Sequence, residues 1–301
     1  MLASPFVSTE IRDARFTAVV GRSVEFEKIA GDCLFTEGPL WHPRERYLLW
    51  SDMPGDHLRR WSAQDGVTTF RKPCHKSNGL TWDREGRLLV CEHGSSQVTR
   101  TERDGRSTTL ASHYEGKELN SPNDLVCGAD GAIYFSDPPY GRAEYYGVPR
   151  PRQLAFQGVY KVGPGPRSPV LLVDDFDRPN GLCFSLDGRR LFINDTARQH
   201  IRVFDVAAGG GLTGGAVWAE TKGEGNGAPD GMKLDSAGNL YCTGPGGIHV
   251  FAPDATALGV IRVPEHAANM AFGDDDLRSL YITASTSVYR IRVQVPGLAA
   301  L

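Results

Sequence analysis

One pattern returns six times along this chain of 301 residues: a polar residue, an apolar run, a tight turn and a second apolar run. The copies begin at Glu37, Asn78, Asn123, Asn180, Asp230 and Asn269. Successive starts are 41, 45, 57, 50 and 39 residues apart. Units of roughly 40 to 50 residues leave room for about four short strands each, which is typical of β-propeller blades. The sequence therefore predicts an all-β fold, a six-bladed β-propeller with four antiparallel strands per blade.

Each copy has the pattern of a β-hairpin. In the second copy, Leu80 and Trp82 alternate on one face, Gly86 marks the turn, and Leu88 and Val90 return. Alternation with a period of two residues, interrupted by a turn that contains glycine, predicts two antiparallel strands. A pair of β-sandwiches is the main structural alternative, but a sandwich does not require a polar residue at the start of every repeat.

The two ends of the repeat array are incomplete. The last copy ends with residues 287–293 and leaves too little chain for a fourth strand, whereas residues 24–30 form a strand-like run with no hairpin partner. We expect this N-terminal strand to complete the last blade, because such closure hides exposed sheet edges. The predicted organisation is an N-terminal extension over residues 1–23 and a single propeller domain over residues 24–301. Removal of residues 1–30 is expected to destabilise the whole ring.

Charge and composition exclude several partners. The formal net charge is −3 and the 33 Lys and Arg residues are scattered, so no nucleic-acid partner is expected. No window approaches 18 consecutive apolar residues and the start does not resemble a signal peptide, which predicts a cytoplasmic protein without a membrane partner. The six cysteines form no C-x-x-C pair and are predicted to be small buried thiols. The oligomeric state stays open between a monomer and a homodimer.

The six polar residues that open the repeats are expected to surround the central channel, because the first strand of each propeller blade lies nearest the axis. All six carry a side-chain oxygen, and two of them, Glu37 and Asp230, are carboxylates. Oxygen donors suit a hard divalent cation, with Ca²⁺ as the first expectation and Mg²⁺, Mn²⁺ or Zn²⁺ as alternatives. For Asn78 and Asn269 a second interpretation stays open, in which the side chain only makes a local turn.

Four motifs in order resemble a known family. They are "TEGPLW" from Thr36, "SPND" from Ser121, "PNGLCFS" from Pro179 and "APDGMKLD" from Ala228. In these motifs the chain resembles the senescence marker protein, gluconolactonase and luciferin-regenerating enzyme family of six-bladed propellers. The resemblance spans roughly residues 24–293, which is essentially the whole predicted propeller.

The resemblance implies a site and an activity. Glu37, Asn180 and Asp230 would coordinate one divalent metal through their side chains, and Asn123 would bind substrate beside it. Asp230 would also be the catalytic general acid or base. The implied activity is the metal-dependent hydrolysis of a sugar lactone, a small-molecule substrate, by water that attacks a metal-polarised carbonyl.

The substrate-binding residues depart from part of the family. Animal aldonolactonases carry an arginine two residues before the matching asparagine, where this chain has Ser121. The serine, like the stretch "CHKSNGLTWD" around His75 and Asn78, resembles the bacterial gluconolactonase branch. The predicted substrate-binding residues are therefore Asn123, Ser121, Asn78 and Tyr140, and the identity of the lactone is left open.

The longest interval between repeats contains residues 138–158. Three tyrosines, Tyr140, Tyr145 and Tyr146, lie in this segment together with Arg142. The segment is interpreted either as a lid that contacts sugar hydroxyls or as a long surface loop. Asp137, just before it, is either a ligand of a second cation or a turn acid.

The sequence also bears on other catalytic classes and functions. His75 could suggest a nucleophile or zinc site, but the motif G-x-S-x-G is absent, no Ser or Cys lies in a nucleophile-elbow context and the eight histidines show no ligand spacing, which disfavours a Ser-His-Asp hydrolase. Two alternatives to a sugar lactonase stay open. One is a non-catalytic propeller that is stabilised by metal and binds a ligand, and the other is a promiscuous lactonase or esterase for bulkier substrates.

Overall fold

Short β-strands make up most of the computed structural model, which describes residues 8–165 and 168–299. In chain order the strands are β1 Thr9–Ile11, β2 Glu27–Ala30, β3 Thr36–His42, β4 Tyr47–Asp52, β5 His57–Ser62, β6 Gly66–Arg71, β7 Ser77–Trp82, β8 Leu88–Glu92, β9 Gln97–Thr101, β10 Ser107–Ala111, β11 His113–Tyr114, β12 Lys117–Glu118, β13 Leu125–Cys127, β14 Ile133–Ser136, β15 Gln157–Val162, β16 Val170–Phe176, β17 Pro179–Phe184, β18 Arg190–Asp195, β19 His200–Val206, β20 Leu212–Glu220, β21 Met232–Leu234, β22 Leu240–Gly244, β23 Gly247–Phe251, β24 Ala257–Arg262, β25 Ala267–Gly273, β26 Ser279–Ala284 and β27 Ser287–Arg292. One short α-helix, α1, covers Arg15–Val19, and a 3-10 helix covers Tyr140–Arg142.

Within the described residues, six antiparallel sheets of four or five strands are the blades of a propeller. Blades 1 to 4 are β3–β6, β7–β10, β13–β16 and β17–β20, in that order. Blade 5 contains β21–β24, and blade 6 contains β25–β27. The hairpin of β11 and β12 projects from the connection between blades 2 and 3. The six-bladed fold predicted from the repeat is confirmed.

The N-terminal segment closes the ring. Strand β2 pairs antiparallel with β27, with Glu27 opposite Arg290, and so supplies the fourth strand of blade 6 as predicted. The elements before β2 were not predicted. Strand β1 adds a fifth strand to blade 5 through β24, and α1 follows it with the side chain of Phe16 fully buried. The boundary proposed at residue 23 therefore falls after elements that pack on blade 5, and residues 1–7 lie outside the described residues.

The hydrophobic core is divided among the interfaces between neighbouring blades. Between blades 1 and 2, for example, Leu40 and Leu49 pack in one cluster with Leu80 and Val90. Each blade packs its apolar faces against the two neighbouring blades. The starts of the innermost strands face the axis and take no part in this packing, so polar side chains can lie there. All six cysteines lie in the described part of the chain and are free thiols, and five of them are buried, in agreement with the sequence prediction.

The inner strands begin with an irregularity that directs side chains toward the axis. In blades 1, 2, 4 and 6 the pairing of the first two strands shifts register at the polar residue that opens the repeat. A β-bulge of this kind re-aims a side chain at the end of a strand. The residue after the opening polar residue is glycine where the backbone of the neighbouring blade passes closely. A Cβ on Gly38 would lie 2.0 Å from the carbonyl oxygen of Asn78, and a Cβ on Gly181 would lie 2.0 Å from that of Asp230.

The channel opens at its other end into a cavity of about 750 Å³. Its walls are the far ends of the inner strands, including Leu80, Leu125 and Leu182, and Lys233 also lines it. The polar residues that open the repeats therefore lie at the opposite end of the channel from this cavity. In the described part of the chain, no helix has both the length and the apolar character needed to cross a membrane.

Candidate metal and substrate site

The structure brings together the six polar residues that open the repeats. Glu37, Asn78, Asn180 and Asn269 lie in the first residues of inner strands β3, β7, β17 and β25. Asn123 and Asp230 each lie two residues before an inner strand, β13 and β21. All of these side chains are buried except that of Asp230, which is half-buried.

The carboxylate of Glu37 is held by two donors. Its side chain is 3% exposed, and Oε2 accepts hydrogen bonds from the backbone N–H of Gly38 at 2.6 Å and from Nδ2 of Asn269 at 3.1 Å. The carboxyl group of Asp230 also lies within hydrogen-bonding reach of this side chain. Both N–H donors of the protein thus bind Oε2 of Glu37, and neither binds Oε1.

The backbone of Asp230 is fixed on three sides. Its N–H donates to Oγ1 of Thr243 at 2.9 Å, and its carbonyl oxygen accepts from the N–H of Gly181 at 3.1 Å and from Nδ2 of Asn194 at 2.5 Å. These bonds come from blades 4 and 5, so Asp230 is positioned where the two blades meet. The carboxylate itself stays at the channel wall.

Asn180 has an oxygen with no partner. Its Nδ2 donates to Oγ1 of Thr196 at 3.2 Å, and that hydroxyl donates in turn to the carbonyl of Pro229 at 2.7 Å. Oδ1 of Asn180 is buried and accepts no hydrogen bond in residues 8–165 and 168–299. A buried oxygen without a donor costs free energy unless a ligand fills its place. Thr196 links the amide of Asn180 to the residue just before Asp230.

Burial and neighbouring acids disfavour the charged forms of the two carboxyl groups at the channel mouth. Burial raises the pKa of Glu37 to about 7, and the nearby carboxylate of Asp124 also contributes. Burial raises the pKa of Asp230 well above its usual range, and the negative charges of Glu37 and Asp124 raise it further. A divalent cation between these groups would reverse the effect, because an opposite charge favours the ionised carboxylate.

The donor set fits a hard cation. It consists of two carboxylates, from Glu37 and Asp230, and the unpartnered amide oxygen of Asn180. In the described part of the chain, no three His, Cys, Asp or Glu side chains form a metal-binding group, so any metal here must also use amide oxygens or water. Such oxygen ligands are those that Ca²⁺ and Mg²⁺ prefer.

Asn123 is buried at the start of the innermost part of blade 3. Its N–H donates to the carbonyl of Ser136 at 2.9 Å, and its own carbonyl accepts from Gly79 at 2.8 Å. The amide of the side chain has no hydrogen-bond partner within the described residues, which leaves it available for a ligand. The next residue, Asp124, is buried and its Oδ2 also lacks a partner.

Asn78 is held by a histidine. Its Nδ2 lies 3.1 Å from Nε2 of His93, and Nδ1 of His93 lies 3.2 Å from the carbonyl oxygen of Tyr146. Asn78 is therefore tied to a distant segment and does not simply close a local turn. His75 is exposed, with a positive φ of 56°, and it lies outside this group.

Ser121 is buried and its hydroxyl is already engaged. Oγ donates to the carbonyl of Pro138 at 2.5 Å and accepts from the N–H of Gly141 at 2.9 Å. In this arrangement Ser121 anchors the segment after β14. Asp137 accepts from the N–H groups of Asn120 and Ser121, both at 2.8 Å, so its carboxylate binds the connection that precedes β13.

The segment between β14 and β15, residues 137–156, includes most of the predicted insertion. It spans from blade 3 toward blade 1, where the hydroxyl of Tyr145 donates to the carbonyl of Leu34 at 3.0 Å. The ring of Tyr146 packs edge-on against Phe35, with centroids 5.3 Å apart. The segment thus reaches across one side of the channel mouth.

Two further residues of this segment have different surroundings. Tyr140 is half-buried beside Asp230 and Thr196, and burial raises the pKa of its hydroxyl to about 12. The guanidinium of Arg142 donates to the carbonyl of Asn120 at 2.5 Å and pairs with Glu118. Arg142 therefore anchors the segment to the connection between blades 2 and 3.

Comparison with known proteins identifies the family. A family model described as SMP-30/Gluconolactonase/LRE-like region matches residues 35–286. The chain belongs to this family. The family that the four sequence motifs predicted is thereby confirmed.

Similar members of the SMP-30/gluconolactonase family cover nearly the whole chain. A gluconolactonase of Zymomonas mobilis is 32% identical over 306 residues, covering 94% of this chain and 85% of that relative. A pentonolactonase of Haloferax volcanii is 29% identical over 261 residues, covering 84% and 82%. Among solved structures, a gluconolactonase from Xanthomonas campestris superimposes with a TM-score of 0.88 at 33% identity, covering 96% of each chain.

Three residues of the candidate site in this SMP-30/gluconolactonase family member were not predicted from the sequence. Asp124 stands where four of the other five repeats have glycine after the opening residue, and that replacement was a visible signal. His93 and Thr196 lie after the second strands of blades 2 and 4, outside the part of the repeat that was aligned. Nothing in the sequence pattern connects them to the channel, because their partners come from other segments.

Proposed function

We propose that this protein hydrolyses a sugar lactone at the channel mouth with the help of one divalent cation. The observation that carries the proposal is the proximity of Glu37, Asp230 and the unpartnered oxygen of Asn180 at the channel mouth. The named relatives support the substrate class, since one is a gluconolactonase and another is a pentonolactonase. Both substrates are cyclic esters of sugar acids.

Glu37, Asn180 and Asp230 would hold the cation. When bound there, the cation supplies Lewis acidity that polarises the lactone carbonyl and offsets the negative charge that develops on its oxygen. Carboxylate and amide oxygens favour Ca²⁺ over Zn²⁺, whose protein sites usually include Cys or His.

Asp230 is assigned the proton transfers. Its carboxylate takes a proton from the attacking water as the water oxygen bonds to the carbonyl carbon. It then returns that proton to the ring oxygen as the ester bond breaks, which yields the open hydroxy acid. The three bonds to the backbone of Asp230 favour this role, because a general base must keep its position relative to the substrate.

The neighbouring side chains orient the sugar. The free amide of Asn123 is assigned to the lactone carbonyl or an adjacent hydroxyl, and Asn78 to a hydroxyl on the opposite side. The half-buried hydroxyl of Tyr140 would border the ring close to Asp230. Ser121 would act through its hold on residues 138–141.

The test is lactone turnover by matched variants. We expect Glu37→Ala and Asp230→Ala to abolish hydrolysis of glucono-lactone above the spontaneous rate, whereas Glu144→Ala, an exposed acid in the segment 137–156, retains the wild-type rate. Chelation should abolish turnover, and calcium should restore it. Full activity after chelation would refute the proposal. A strong preference for aryl esters over sugar lactones would replace the sugar substrate with a bulkier ester.

A further inference from the structure

His93 connects the channel to the segment 137–156. Its side chain is 1% exposed, and both ring nitrogens face hydrogen-bond partners from different parts of the chain. Gly141 packs directly on it, since a Cβ on that glycine would lie 2.7 Å from Cβ of His93. The imidazole is thus enclosed between the ring residue Asn78 and the segment above it.

The partners of His93 determine its tautomer. The carbonyl oxygen of Tyr146 can only accept, so Nδ1 must carry the hydrogen and donate it over 3.2 Å. Burial lowers the pKa of His93 to about 4, so the ring is neutral near pH 7 and Nε2 has a lone pair. That lone pair can only accept a hydrogen bond, and its neighbour at 3.1 Å is the amide of Asn78.

The orientation of Asn78 follows from this tautomer. Its NH₂ group must face His93, because an amide oxygen would place two lone pairs against each other. The planar amide then turns Oδ1 away from His93, and Oδ1 accepts no hydrogen bond within the described residues. Asn78 therefore presents an acceptor to a ligand in the channel.

We propose that His93 is a positioning residue that couples the segment 137–156 to the substrate site. Its Nδ1–H holds Tyr146 at the channel mouth, and its Nε2 fixes the oxygen of Asn78 as the acceptor for a donating hydroxyl of the substrate. The assignment of that substrate as a sugar lactone rests on the proposed function, but the two contacts of His93 do not.

Two substitutions separate the two contacts. In His93→Asn, the amide nitrogen occupies the place of Nδ1, so the bond to Tyr146 can persist while the acceptor for Asn78 is lost. In His93→Gln, the amide oxygen reaches the place of Nε2 and can accept from Asn78, while the donor to Tyr146 is lost. His113→Asn, an exposed histidine in the hairpin of β11 and β12, is the matched control.

We expect each variant to change one measurement: steady-state kinetics in His93→Asn and amide hydrogen exchange in His93→Gln. For His93→Asn we expect KM for glucono-lactone to rise about fivefold to tenfold, the effect of roughly one neutral hydrogen bond, with kcat within about twofold. Exchange in residues 138–156 should stay as in the wild type. For His93→Gln we expect about tenfold faster exchange in those residues and KM within about twofold of the wild type. The proposal would be overturned if KM and amide exchange changed in the same way in both variants, or if neither variant changed either measurement.

Nitrogen-15 spectroscopy of the histidine rings tests the tautomer without any substrate. We expect the His93 ring to give the signature of a neutral imidazole protonated at Nδ1, which the control His113→Asn retains. Protonation at Nε2 would overturn the proposal. If the wild-type protein does not hydrolyse lactones, the proposed function fails. The tautomer of His93 and the amide exchange of residues 138–156 still decide the role of His93 in that case.

Discussion

Asn269 and Glu37 are 232 positions apart in the chain, yet the side-chain amide of Asn269 donates to the carboxylate of Glu37 at 3.1 Å. The orientation of the amide is fixed, because Oδ1 of Asn269 accepts from the N–H of Met270 at 2.8 Å. The last blade therefore determines how the acid of the first blade faces the channel. This contact crosses the seam at which the ring closes.

Asn269→Ala should weaken the binding of a cation at Glu37. Outer groups that orient a metal ligand typically contribute 10-fold to 100-fold to metal affinity, and we expect a loss of about tenfold. Calorimetric titration of chelator-treated protein with calcium measures this loss. Asn226→Ala, an exposed asparagine in the loop before Asp230, should bind calcium as the wild type does. Equal affinities for both variants would show that Asn269 does not orient the ligand.

Gly181→Ala should separate blades 4 and 5. The added Cβ would meet the carbonyl oxygen of Asp230 at 2.0 Å, so the inner strands must move apart. We expect the free energy of unfolding to fall by about 2–4 kcal/mol and lactone turnover to be nearly lost. Gly209→Ala is the control, because a Cβ there meets nothing within 4 Å. Denaturant titration and turnover decide the outcome, and a stable, active Gly181→Ala would contradict the close approach.

Acid should destabilise the fold partly through His93. Burial lowers its pKa from 6.5 to about 4, so between these values the unfolded chain binds a proton that the folded chain does not. The free energy of unfolding therefore falls as the pH is lowered through this window and is retained above pH 6.5. Relative to His93→Gln, the wild type should lose roughly 3 kcal/mol more between about pH 7 and pH 4. Denaturant titrations at several pH values measure the difference, and parallel curves would exclude a buried neutral His93.

Phe16→Ala should destabilise the whole propeller. Phe16 is fully buried against blade 5, and a Cβ on Gly259 would lie 2.7 Å from its ring. The loss of a buried phenylalanine costs roughly 3–5 kcal/mol, and we expect a single unfolding transition shifted by that amount. Phe70→Ala removes a ring that is 39% exposed and should cost less than about 1 kcal/mol. If residues 1–23 are a detachable extension, Phe16→Ala will behave like Phe70→Ala.

The blades were predictable because their signal is periodic. The alternation of apolar residues, as at Leu80 and Trp82, recurs in each copy and indicates burial between blades. The polar residue that opens each copy indicates a position near the axis. The strand at 27–30 was predictable because blade 6 lacked a member. In contrast, β1 has only three residues, and its place on β24 depends on contacts that no local pattern encodes.

The contacts around the site were harder to predict because they join segments far apart in the chain. His93 acquires its role from Tyr146, 53 positions later, and Thr196 from Pro229, 33 positions later. Ser121 illustrates the same point. Its hydroxyl was available to a substrate in the sequence, but the fold brings Pro138 within 2.5 Å of it.

The pairing of β2 with β27 sets a limit on when this protein can finish folding. Glu27 leaves the ribosome early, but Arg290, its partner across the sheet, is synthesised 263 positions later. Until then, the nascent chain carries one strand without a neighbour and a growing stack of sheets with open edges. Completion of the ring, and with it the contact between Asn269 and Glu37, therefore belongs to the last moments of translation or to the time after release.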